Sequence, residues 1–235
     1  MKKQILFCVA AALALSACNK VSDKEFAQAI QSCDAVKIEE MLNKGANPNV
    51  HIYSGGATIG KGDDLGPGLS FVLWPCKKTE LTDLFITKGV DVNGKSAEGF
   101  TVLMSAVGAN DVNTIKKLLA AGADVNARAF EGTGSSPLFD AIMLSREENT
   151  EAVVKLLIAS GAQLNVQVGE TGATPLILAS MMNKKNIVQI LLDAGADTSI
   201  KTEKGKTALD YANEKGYKDI AALLQKNAKK KTSAK

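Results

Sequence analysis

From about residue 35 to residue 228 the chain repeats one hydrophobic figure. Apolar side chains stand at i, i+3 and i+4 in Ile38/Met41/Leu42, Ile115/Leu118/Leu119, Val154/Leu157/Ile158, Val188/Leu191/Leu192 and Ile220/Leu223/Leu224. That spacing draws a single apolar stripe down a short helix whose other faces are polar. One further unit carries a looser stripe, with Thr82 in the first place and Leu81, Leu84, Phe85 and Ile86 around it. Three residues after each stripe stands a stop residue: Gly45, Gly89, Gly122, Gly161, Gly195 and finally Asn227. Glycine, then asparagine, most readily takes the left-handed conformation that ends a helix. The stops lie 44, 33, 39, 34 and 32 residues apart.

A second, preceding helix is predicted in each unit. Its start is clearest in Gly172-Ala173-Thr174-Pro175-Leu176-Ile177-Leu178-Ala179, with weaker copies at Gly99 to Ala106, Ser136 to Ala141 and Gly205 to Ala212. Threonine or serine caps the free amides of the first turn, and proline fits there because its missing N–H is not needed. An inner alanine lets neighbouring helices approach closely. The second unit has Pro67-Gly68-Leu69 in place of the threonine start. The first begins Ser22-Asp23-Lys24-Glu25-Phe26 and reads as a polar end cap.

This figure resembles the ankyrin repeat, in its 33-residue period, its T-P-L-x-x-A start and its G-A-D-x-N ends (Gly89-Val90-Asp91-Val92-Asn93, Gly122-Ala123-Asp124-Val125-Asn126, Gly195-Ala196-Asp197-Thr198-Ser199). The resemblance covers residues 23–228 and implies an all-α solenoid of about six helix-turn-helix units with projecting fingers. The units fall at about 23–49, 67–93, 99–126, 135–165, 172–199 and 205–228, with a long finger over 50–66. No such unit buries its own faces, so stability comes from its neighbours. The recurrent Asp91, Asp124 and Asp197 are expected to satisfy backbone amides of the turn.

The first residues change the picture. Lys2 and Lys3 precede a run of thirteen almost wholly apolar residues, Ile5 to Ala17. A membrane-spanning helix needs about 20 residues, whereas this run has the length of a signal-peptide core. It closes on Leu15-Ser16-Ala17-Cys18, which resembles the lipobox of bacterial lipoproteins. The resemblance implies cleavage after residue 17, lipid on Cys18 and a short linker over 18–22. Asn19 is not the aspartate that retains such proteins at the inner membrane, so the outer membrane, facing the periplasm, is expected. Several acyl chains on one residue would hold the protein firmly.

Loss of Lys2 and Lys3 leaves 26 basic side chains against 25 acidic ones. Five of those lysines crowd the last ten residues, and residues 229–235 read as a basic, solvated tail. Without the five the body is mildly acidic, unlike a nucleic-acid-binding domain. Nucleotide binding is not expected either. Gly55 to Lys61 reads G-x-x-x-x-G-K, but Gly62 stands where a phosphate loop needs Ser or Thr, and no buried strand precedes it.

Catalysis has little to stand on. His51 is the sole histidine, so neither a zinc cluster nor a pair for acid–base exchange can form around histidines. No catalytic residue, metal or cofactor is assigned. Beyond Cys18, two cysteines remain in the mature chain, Cys33 and Cys76, each near the end of the first helix of its unit. Neighbouring helices lie about 8–10 Å apart, and a disulfide needs Cα atoms within about 7 Å. Pairing therefore requires Pro75 to bend the chain inward, and the sequence leaves it open.

In ankyrin proteins the fingers and inner helices form a concave binding face, which implies a protein partner here. Tyr53 in the long finger, Phe100 at a finger end, and Arg128 and Phe130 at a finger tip are the candidate anchors, being aromatic or arginine. Trp74 is expected to pack in the core. The expected function is an envelope-anchored interaction module. Two narrower forms are an immunity lipoprotein against a secreted antibacterial toxin and an accessory factor for a periplasmic enzyme such as a peroxide-defence catalase. A neighbouring toxin gene or catalase gene would separate them.

Overall fold

A computed structural model describes residues 21–54, 63–130, 134–144 and 149–233. Cys18, the phosphate-loop-like segment and residues 145–148 lie outside the described residues. Twelve α-helices form six pairs among the described residues. They are α1 (Asp23–Gln31) with α2 (Ala35–Asn43), α3 (Gly68–Leu73) with α4 (Thr82–Thr87), and α5 (Val102–Gly108) with α6 (Val112–Ala120). Then follow α7 (Pro137–Leu144) with α8 (Thr150–Ala159), α9 (Pro175–Met181) with α10 (Lys185–Asp193), and α11 (Ala208–Glu214) with α12 (Lys218–Ser233). Each first helix packs on the first helices of adjoining units and each second helix on the second helices, giving two helical layers. The long finger contains an antiparallel pair, β1 (His51–Tyr53) and β2 (Asp64–Pro67), with a register shift between Ile52 and Tyr53.

The stripes enter the core as their spacing requires. Ile38, Leu42, Phe85, Ile115, Leu118, Val154, Leu157, Val188, Leu191 and Ile220 are all fully buried. The third stripe position is only half-buried at Leu119 and Ile158, and in the last unit the second position, Leu223, is half-buried while Leu224 is buried. Ala106, Ala141, Ala179 and Ala212 are buried between the first helices, which pack close for want of larger side chains.

Polar residues set the ends of these helices. Thr101 accepts from the Met104 amide, Thr174 from that of Ile177 with Pro175 in the first turn, and Thr207 forms a reciprocal capping box with Asp210. Each such cap is worth about 1 kcal/mol. At the other end Gly122 stands at φ +91°, with its amide on Leu119 O and the Ala123 amide on Leu118 O. That pattern closes the free carbonyls of the last turn, and the other four stop glycines occupy equivalent places. Asn227 does not. It lies inside α12, which continues to Ser233. The alanine and lysines beyond it favour helix.

Asparagines join successive units edge to edge. Asn93 Nδ2 donates to Gly122 O at 3.0 Å, and its Oδ1 accepts from the Asp124 amide at 2.8 Å. Asn49 makes the same pair of contacts with Gly89 and Asp91, and Asn126 with Gly161 and Gln163. Asp91, Asp124 and Asp197 each accept from the amide two residues on, so their recurrence has a structural cause.

The first two units are also joined covalently. Cys33 and Cys76 form a disulfide with Cα atoms 5.3 Å apart. Both cysteines sit beyond the ends of α1 and α3, in turns that converge more closely than the helix axes. Beside this bridge the Phe26 and Phe85 rings stack at 6.2 Å between centroids.

Candidate partner-binding groove

The first helices and the fingers together frame an open groove of about 700 Å3 across the second, third and fourth units. One principle of the repeat generates its floor. In α3, α5 and α7 the core leucine is followed by an equivalent pair of residues: Ser70-Phe71 after Leu69, Met104-Ser105 after Leu103, and Phe139-Asp140 after Leu138. All but Phe139 line the groove. Leu65 from β2, and Ser96, Glu98 and Phe100 from the next finger, form its finger side.

Trp74 contradicts the expectation of a core role. It is 47% exposed and lines the groove, with Lys77 Nζ 5.8 Å from its ring centroid. It stands five residues after Leu69, the place Gly108 holds after Leu103, and so on the groove side of the helix end.

Phe100 is 36% exposed and meets Phe130, 52% exposed, edge to face at 5.3 Å between centroids. Phe130 is held at φ +47°, with its amide donating to Glu98 O at 2.6 Å. A bulky residue in that region is strained, and here the strain keeps an aromatic ring at the surface beside the groove. Arg128 is differently employed. Its Nε donates to Gly134 O and its Nη2 to Gln167 O, both at 3.1 Å, so the guanidinium ties one finger to the next. Tyr53 is half-buried in the hairpin, away from the groove, and its carbonyl accepts from Gln31 Nε2. The structure thus brings Phe100 and Phe130 together, with Arg128 committed to backbone carbonyls beside them, and leaves Tyr53 apart.

Asp140 carries the unusual chemistry. Only 3% exposed, it sits in the first turn of α7, and its one hydrogen-bonded side-chain partner among the described residues is the Ser135 hydroxyl. Burial pushes its carboxyl up to about 6, partly offset by that hydroxyl. In the second unit, Ser70 Oγ is buried in the groove wall with no hydrogen-bond partner among the described residues. Apart from the groove, His51 Nδ1 lies 3.0 Å from the Asp64 carboxylate across the hairpin. That pair supports the register of the finger.

The chain matches the family model for ankyrin repeats over residues 71–168 and 138–234 and belongs to the ankyrin repeat family. It is accordingly a protein-interaction repeat. It is 32% identical to YahD of Escherichia coli (strain K12), a protein named for its ankyrin repeats, over 59% of this chain and 69% of that one. It is 38% identical to the protein PhlB of Serratia liquefaciens over 48% of this chain and 47% of that one. The B-cell lymphoma 3 protein homolog of Mus musculus is 32% identical over 60% of this chain and 30% of its own length. Thus the chain spans two thirds of the first of these relatives, and half or less of the other two.

Proposed function

We propose that this chain is a lipid-anchored interaction module of the bacterial cell envelope, and that its concave groove grips a protein partner. The groove carries the reading. Trp74, Phe100 and Phe130 expose aromatic surface on the side of the repeat where first helices and fingers meet. Aromatic side chains gathered in one concavity are the usual energetic centre of a protein interface. The Cys33–Cys76 bond supports an oxidising compartment, as the lipobox at Leu15 to Cys18 implies. Anchoring at the outer membrane, facing the periplasm, completes the proposal.

A photo-crosslinking amino acid tests both parts in living cells. Placed at Phe130 it is expected to trap a discrete envelope protein, while at Lys116, exposed on a second helix, it traps none. The reverse pattern overturns the groove as the binding face. An adduct drawn from the cytoplasm overturns the location.

A further inference from the structure

Resting on the reading that the groove receives a partner segment, we infer that this segment is anchored by a basic side chain, lysine or arginine, with its charged head at the Asp140 carboxylate, while apolar neighbours of that residue lie along Trp74 and Phe100.

The groove has a place for each part of such a segment. The exposed faces of Trp74 and Phe100 offer apolar surface to the neighbours of the basic residue. The indole already holds one cation, Lys77 Nζ, over its ring, as the negative face of an aromatic system favours. Beyond the aromatics the floor bears Asp140, buried and without an ion pair to any described lysine or arginine.

Among the described residues the surroundings of Asp140 supply no counter-charge. Helices α5 and α9, packed on either side of α7, contain no titratable residue. On α8, Glu151 and Lys155 face each other at 3.6 Å on the exposed surface. Lys184 reaches α7 but donates to the Ile142 carbonyl. Within the groove itself Glu98 adds a second carboxylate at the rim, its Oε2 accepting from Ser96, against the single cation Lys77. Among the described residues lining the groove, carboxylates therefore outnumber cations. A desolvated carboxylate held by one hydroxyl is costly, which shows in its raised pKa. An arriving ammonium or guanidinium would remove that cost by a charge-assisted bond.

A second observation points to the same occupant. Ser70 Oγ is nine-tenths buried, lines the groove and lacks a partner among the described residues. It is available to a polar group of an incoming segment. An acidic segment would be repelled by Asp140 and Glu98, and a wholly apolar one, or an acyl chain, would seal Asp140 in without a partner.

The test is selection of random peptides displayed on phage against the full chain. Selected peptides are then measured by fluorescence anisotropy on wild type, Asp140→Asn and Trp74→Ala. The expected peptides carry Lys or Arg beside an aliphatic or aromatic residue. Changing that basic residue to Gln, or Asp140 to Asn, weakens binding about tenfold or more, and the two changes together do little more than either alone. Circular dichroism confirms that Asp140→Asn is folded. Peptides that bind wild type and Asp140→Asn equally, yet lose affinity with Trp74→Ala, overturn the basic anchor and leave the groove standing. Peptides indifferent to both variants, no selected peptide, displacement by a fatty acid alone, or a dimer formed through this face overturn the groove reading as well.

Discussion

Replacing Cys33 and Cys76 together by alanine should weaken the first unit sharply while leaving the last units intact. The bond closes a chain segment with a sequence separation of 43 residues. Restricting a loop of that length in the unfolded chain stabilises the folded one by about 4 kcal/mol at 25 °C. Whole domains are commonly stable by only about 5–15 kcal/mol. With a urea dependence of about 2 kcal/mol per molar, the midpoint should fall by about 2 M. The loss should also be local. In a solenoid each unit leans only on its neighbours, and the first unit leans on the second through the disulfide and the stacked Phe26 and Phe85. Hydrogen exchange should then quicken in α1 and α2 before α9 to α12. The assay is urea unfolding of the oxidised wild type and the double-alanine variant, followed by hydrogen exchange in water. Equal midpoints, or two titratable thiols at these positions in the oxidised, denatured protein, would refute the reasoning.

Other outcomes follow from single side chains. Asp140→Asn should stabilise the fold by up to about 3 kcal/mol at pH 7.5, because the buried carboxyl has its pKa raised from 3.8 to about 6. The native state binds the extra proton between those values, so the wild type loses stability as pH rises through that window. Denaturation at pH 4 should accordingly show little gain from the substitution, and an equal gain at both pH values would contradict the assignment. Asn93→Ala removes two contacts between units and should cost about 1–2 kcal/mol, read as a lower melting temperature. Leu118→Ala or Leu191→Ala, each at a fully buried site, should cost about 2–5 kcal/mol in the same assay. Cys18→Ser should shift the protein from the membrane to the soluble fraction or leave it unprocessed, and mass spectrometry showing an unmodified N-terminus at another residue would contradict lipidation.

Much of the architecture is legible in the chain because each repeat signal has a local physical cause. Thr174-Pro175 starts a helix, Gly122 ends one, and the Ile115/Leu118 stripe can face only a neighbour. What escaped the sequence depends on relations between units. Trp74 reads as core by its chemistry alone, and its exposure becomes apparent once it is set against Gly108 in the following unit. The pair Phe139-Asp140 was hidden in an otherwise apolar helix. Aligned with Ser70-Phe71 and Met104-Ser105, it occupies the same two positions of its unit, and Asp140 is the charged member of the three pairs. Arg128 has the composition of an interface anchor but spends its guanidinium on two carbonyls that only folding brings near. The disulfide escaped for a geometric reason, since the spacing of helix axes does not measure the gap between the turns that hold the cysteines.

Affinity for the crosslinked partner across two sets of variants tests the central claim most directly. Trp74→Ala, Phe100→Ala and Phe130→Ala remove exposed side chains from the groove and the finger beside it. Each should leave the melting temperature within a few degrees of wild type. Loss of an interface anchor typically costs 2 kcal/mol or more, about thirtyfold in the dissociation constant, and at least one of the three should show it. Lys116→Glu, on the exposed side of α6, should bind as wild type does. Wild-type affinity in all three aromatic variants, with binding lost in Lys116→Glu, would place the partner on the opposite face and contradict the account.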